Sequence, residues 1–72
     1  MTITNKSILS TTVQWDDDTM QEMVINVHDI SAIKPHNENH QTVIYGKGID
    51  GWIINESFFI FRTMWSNLVS HE

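Results

Sequence analysis

Cysteine is absent from this chain, which removes disulfides and thiolate zinc sites as means of holding it together. Basic residues are scarce. Lys6, Lys34, Lys47 and Arg62 stand against nine Asp and Glu, for a net charge of −5. Binding to a phosphate backbone needs clustered Lys and Arg, so direct nucleic-acid binding is disfavoured. Long apolar runs are missing too. The longest, Phe58-Phe59-Ile60-Phe61, is far too short to cross a bilayer. Met1 to Lys6 lacks the apolar stretch of a signal peptide. With no cysteine and no targeting segment, the expected location is the cytoplasm. Proline occurs once, at Pro35, and glycine only at Gly46, Gly48 and Gly51. No segment therefore reads as a linker, and the chain is expected to form a single domain, residues 1–72.

A chain of 72 residues buries a modest core, and a core of that size rarely supplies more than about 3–5 kcal/mol of net stability. With disulfide and zinc excluded, self-association is the remaining common source of extra stability, and a homodimer is expected.

The periodicity divides the chain into strands and one helix. From Ser7 to Trp15, Leu9, Thr11, Val13 and Trp15 share one face and Ile8 lies opposite. Asp16-Asp17-Asp18-Thr19 reads as a tight polar turn. From Glu22 to His28, Met23, Ile25 and Val27 face one way and Glu22, Val24 and Asn26 the other. A helix opening at Asp18 competes with this strand, but the β-branched Val24, Ile25 and Val27 favour extended chain. His28-Asp29 breaks the alternation. Ile30 and Ile33 restore it up to Pro35, which places that segment at a sheet edge or ends it there. His36 to His40 is a polar turn cluster. Two further runs, Gln41 to Ile49 and Trp52 to Glu56, flank Asp50-Gly51, which predicts a type I′ hairpin turn at that pair. Gly46 and Gly48 then mark a bulge or a place where something packs closely. Ser57 is a good helix cap. At about 100° per residue, Phe58, Phe61, Met64, Trp65, Leu68 and Val69 form one stripe, with Arg62, Thr63, Ser66, Asn67 and Ser70 opposite. Ile60 is counted into the apolar stripe, and Phe59 falls among the polar residues. The pattern predicts an α+β fold: a small antiparallel β-meander of four or five strands packed against one C-terminal helix.

Three clusters invite a chemical reading. His36 and His40 have metal-ligand spacing on a helix, but they follow a proline in a turn, and no Glu directly follows the first. Solvated turn histidines are the favoured reading, and no metal or cofactor is expected. The acidic run lacks the glycine and terminal Glu of a calcium loop. The glycine stretch lacks the order of a phosphate-binding loop. No nucleophile elbow is present either, and a core this small builds no deep cleft. An enzyme is not expected.

From Asn26 to Trp65 the chain resembles FlbD-type flagellar proteins. The likeness rests on Val27-His28-Asp29-Ile30-Ser31-Ala32-Ile33, on the hairpin through Val43-Ile44 and Asp50-Gly51, and on Ile54-Asn55-Glu56-Ser57 opening a helix. It implies a strand–strand–helix pattern and no functional residue. Phe58-Phe59-Ile60 replaces the acidic residues that follow the serine in that family. In size and composition the chain is also similar to phage-encoded anti-defence proteins, anti-CRISPR inhibitors among them, which implies an inhibitor.

The expected function is a non-enzymatic interaction module that binds and blocks a larger protein or complex. Asp16, Asp17, Asp18 and Glu22 offer an acidic face to a basic partner surface, and Phe59 offers an exposed aromatic. Phe59, Arg62, Trp65 and Ser66 are the expected oligomer interface. The alternative is a small-ligand or nucleotide-binding protein whose pocket forms between subunits near Gly46, Gly48 and Trp52.

Overall fold

The computed structural model describes residues 1–3, 7–15 and 18–70. It contains strands β1 (Thr2–Ile3), β2 (Ile8–Gln14), β3 (Met20–Asn26), β4 (Ile30–His36), β5 (Gln41–Gly46) and β6 (Ile49–Ile54), followed by one helix, α1 (Phe58–Ser70). A short helical turn, Val27–Asp29, joins β3 to β4. The fold is α+β, an antiparallel sheet with one C-terminal helix. The sheet has six strands rather than four or five, because Thr2–Ile3 adds a short strand beside β2.

The order is not that of a plain meander. It runs β3–β2–β6–β5–β4, and β1 lies beside β2 on the edge that β2 shares with β6. Consecutive β3 and β4 thus stand at opposite ends of the sheet, yet three residues connect them. A connection this short requires the sheet to curl into a half-barrel. Leu9, Val13, Ile25, Val27, Ile30, Ile44, Ile49 and Ile54 fill its core, and Phe61 of α1 completes it.

The alternation read from β2 and β3 holds. Leu9, Thr11 and Val13 are buried on β2, and Ile25 on β3, while Glu22, Val24 and Asn26 face out. β3 is extended over all seven residues, so the competing helix is not formed. Asn26 ends it by accepting a hydrogen bond at Oδ1 from His28 N–H (3.0 Å), which opens the helical turn. Pro35 lies in β4, the strand at the far end of the sheet, where its missing N–H costs no ladder bond on the free side.

The predicted hairpin turn is misplaced. Chain reversal occurs at Lys47-Gly48, between the paired Gly46 and Ile49. Asp50 and Gly51 belong to β6. There Tyr45 pairs with Asp50 and Ile44 with Trp52, so Gly51 is the extra residue of a bulge, at φ 72°. Gly48 supplies the turn's positive φ, 73°. The reason for this register is tertiary. It brings Ile49 into the core and sets Gly46 directly under the Asp29 carbonyl, where any Cβ would overlap that backbone. Lys47 N–H donates to the same carbonyl (2.8 Å).

The turn before β5 carries three successive residues at positive φ, Asn37, Glu38 and Asn39 (52°, 56° and 74°). Asparagine tolerates this region better than most residues. The turn aims the Asn39 carbonyl at the helix start, where it accepts from Phe58 N–H (3.0 Å). One of the N–H groups that a helix leaves unpaired is thereby satisfied by backbone. Thr42, fully buried, donates Oγ1–H to the Glu56 carbonyl (3.0 Å) and ties β5 to the segment that leads into α1.

Candidate interaction surface

α1 packs on β4, β5 and the Val27–Asp29 turn. Its stripe of Phe58, Phe61, Met64, Trp65, Leu68 and Val69 is buried or half-buried, with Phe61 fully enclosed. Trp65 adds a polar anchor, since its indole Nε1–H donates to the Val27 carbonyl (3.2 Å). Ile60 departs from the expectation. It stands outside the stripe, 61% exposed, next to Phe59 at 57%. A step of about 100° per residue carries Ile60 past the edge of the core-facing arc.

Phe59 and Ile60 therefore form an exposed apolar pair on the first turn of α1. With Thr63, Met64 and Asn67 they line a shallow hollow of about 480 Å³. None of these five residues is charged. The Phe59 ring is held edge-on to Phe58, with centroids 5.8 Å apart, and Thr63 donates its hydroxyl to the Phe59 carbonyl (2.9 Å).

The structure distributes the expected site residues over separate elements. Asp16 and Asp17 lie outside the described residues. Asp18 is exposed at φ 64° in the turn before β3, and Glu22 is exposed on β3. Phe59, Arg62 and Ser66 are exposed on α1, whereas Trp65 is packed against the core. His36 and His40 are exposed at the two ends of the β4–β5 turn. Among the described residues, no cluster of three or more His, Asp or Glu could hold a metal ion.

A second hollow, about 130 Å³, lies between the end of β3 and the β5–β6 turn. Val24, Ile25, Asn26, Asp29, Lys47, Gly48, Ile49 and Trp52 line it. Gly46, Gly48 and Trp52 are expected to share a pocket between subunits. The structure puts Gly48 and Trp52 on a hollow built within one chain, and Gly46 beneath Asp29 instead. The indole of Trp52 is fixed by an edge-to-face contact with Trp15, 5.7 Å between centroids. Val24 is legible in the sequence only as an outward residue; it is 68% exposed on a strand that, among the described residues, pairs with β2 alone.

Comparison with protein-family models, with curated proteins and with solved structures finds no match to this chain. Among the described residues, no helix is long and apolar enough to cross a membrane.

Proposed function

We propose that this protein is a non-enzymatic interaction module, a small acidic domain that acts by occupying the surface of a larger protein or complex and that pairs with itself through α1. The observation that supports this reading is the Phe59–Ile60 pair, 57% and 61% exposed on a helix whose other face is already committed to the core. Exposed side chains of this size add little to the fold, and an apolar patch of this kind is a common mark of an interface. Its lack of charge favours a second copy as the occupant. Two chains of net charge −5 repel least where neither presents a charge. Two-fold pairing is the commonest closed arrangement, and it places the same patch of each chain against its copy. Asp18 and Glu22, exposed before and on β3, are offered to a basic partner.

The experiment compares wild type with Phe59→Asp/Ile60→Asp. The variant is expected to be monomeric by sedimentation with an unchanged circular dichroism spectrum. A dimer that survives both changes overturns the assignment of this face.

A second reading has its own observation. The Trp52–Gly48 hollow, lined also by Asp29 and Lys47, has room for a small ligand. Native mass spectrometry of the purified protein separates the two readings: a bound low-mass compound that Trp52→Ala releases supports the ligand site.

A further inference from the structure

The two ends of the sheet are guarded unequally. Unpaired strand edges invite pairing with another chain, and proteins blunt them with proline, lysine, bulges or a covering helix. β4 has all four devices. It carries Lys34 and Pro35, a bulge between Ile30 and Ala32, and α1 packed against it. Among the described residues β3 shows none of them. It pairs with β2 over seven residues without a register shift, and it carries no proline and no lysine.

The hydrogen-bond phase shows which groups β3 offers. Val27 N–H donates to the Ser7 carbonyl (2.7 Å), and Trp15 N–H donates to the Thr19 carbonyl (2.9 Å). Antiparallel pairs alternate between bonded and non-bonded, so Gln21, Met23 and Ile25 also turn their backbone groups toward β2. The N–H and C=O groups of Met20, Glu22, Val24 and Asn26 point away from the sheet. The side chains of Met20, Glu22 and Val24 are exposed beside them.

We infer that the free edge of β3 takes an extended, basic segment of the partner protein as an additional strand; this rests on the reading of the chain as an interaction module. Main-chain bonds to Glu22 and Val24 supply affinity, and side-chain pockets supply selectivity, as in other strand-addition complexes. The charge on the page selects the occupant. β3 carries Glu22 and no cation, Asp18 precedes it, and the chain as a whole is at −5. Lys or Arg on the added strand complements this face. A second copy does not, because self-pairing near the centre of β3 brings the two Glu22 carboxylates together on one face of the sheet. The hollow beyond Val24 and Asn26 has room, at about 130 Å³, for one medium side chain of the added strand. Val24, Ile25, Ile49 and Trp52 contribute apolar lining to it, which suits Leu or Met.

The probe is an acetylated and amidated octapeptide that alternates Lys and Leu, set against the same peptide with Glu for Lys, and binding is followed by amide NMR. The expected result is binding of the basic peptide alone, with shifts confined to β3, Asp29, Lys47 and Trp52. Exchange at the outward Glu22 and Val24 amides is expected to be fast in the free protein and slowed on binding. Val24→Pro, which removes an outward N–H and leaves the β2 ladder intact, weakens binding roughly tenfold. Glu22→Lys, which keeps the fold whatever the proline does, reverses the preference between the two peptides. Equal binding of both peptides, shifts centred on α1, or no binding at all overturns the edge assignment. So does concentration-dependent protection of Glu22 and Val24 in the free protein, which makes a second copy the occupant. The interaction-module reading fails separately, when Phe59→Asp/Ile60→Asp alters neither self-association nor capture of a partner.

Discussion

Phe59 and Phe61 are the same residue two positions apart on one helix, and they meet opposite environments. Phe61 is fully enclosed by the half-barrel, whereas Phe59 is 57% exposed, beside Ile60 at 61%. The difference lies in helix geometry. Two steps of about 100° carry a side chain to nearly the opposite side of the axis. The contrast teaches that the apolar content of this helix exceeds what its own sheet can cover. The inner face belongs to the fold, and the outer face is surplus to it.

The largest effect expected from this contrast is on the inner side. Phe61→Ala empties the centre of the core cluster and is expected to cost about 3–5 kcal/mol, read from the midpoint of urea unfolding. Retention of wild-type stability would remove the distinction between the faces. The next effect concerns the seam that closes the half-barrel. Gly46→Ala drives a methyl group into the Asp29 carbonyl, and overpacking of this kind costs about 1–3 kcal/mol. A neutral result would show that the Val27–Asp29 turn can move away from β5.

Thr11 lies within the core itself. It is 3% exposed on β2, and its hydroxyl has no hydrogen-bond partner among the described residues. An unpaired buried hydroxyl costs about 1–3 kcal/mol. The nearly isosteric Thr11→Val is expected to stabilise the protein by about 1 kcal/mol, seen as a higher unfolding midpoint at unchanged slope. A loss of stability would show that the hydroxyl is satisfied by water in solution. The smallest effect is expected on the outer face. Phe59→Asp should change the stability of the folded chain by no more than about 0.5 kcal/mol, measured at a concentration low enough to keep wild type monomeric.

Much of the fold was legible because it depends on local pattern. Alternation on β2 and β3 marked Leu9, Val13 and Ile25 as core and Glu22 and Val24 as surface. Pro35 marked an edge, and the helical period separated Phe61 from Phe59. What could not be read depends on contacts distant in sequence. Asp50-Gly51 and Lys47-Gly48 both contain a residue fit for positive φ, and local chemistry prefers the first. The choice goes to the second because only that register lets Gly46 pass beneath Asp29 and sends Ile49 inward. Pairing of β2 with β6 at Val13 and Ile54 has no local signal either, and neither does the union of Trp52 with Val24 around one hollow. For the surface, the sequence marked Phe59 but not Ile60, which sits at the boundary of the buried arc, where a small rotation of the helix decides exposure.

The outer face of α1 is the proposed interface between two chains. Multi-angle light scattering of the full chain across micromolar concentrations tests it. The predicted result is the mass of two chains for wild type and of one chain for Phe59→Asp. A single-chain mass for wild type over the whole range would contradict it.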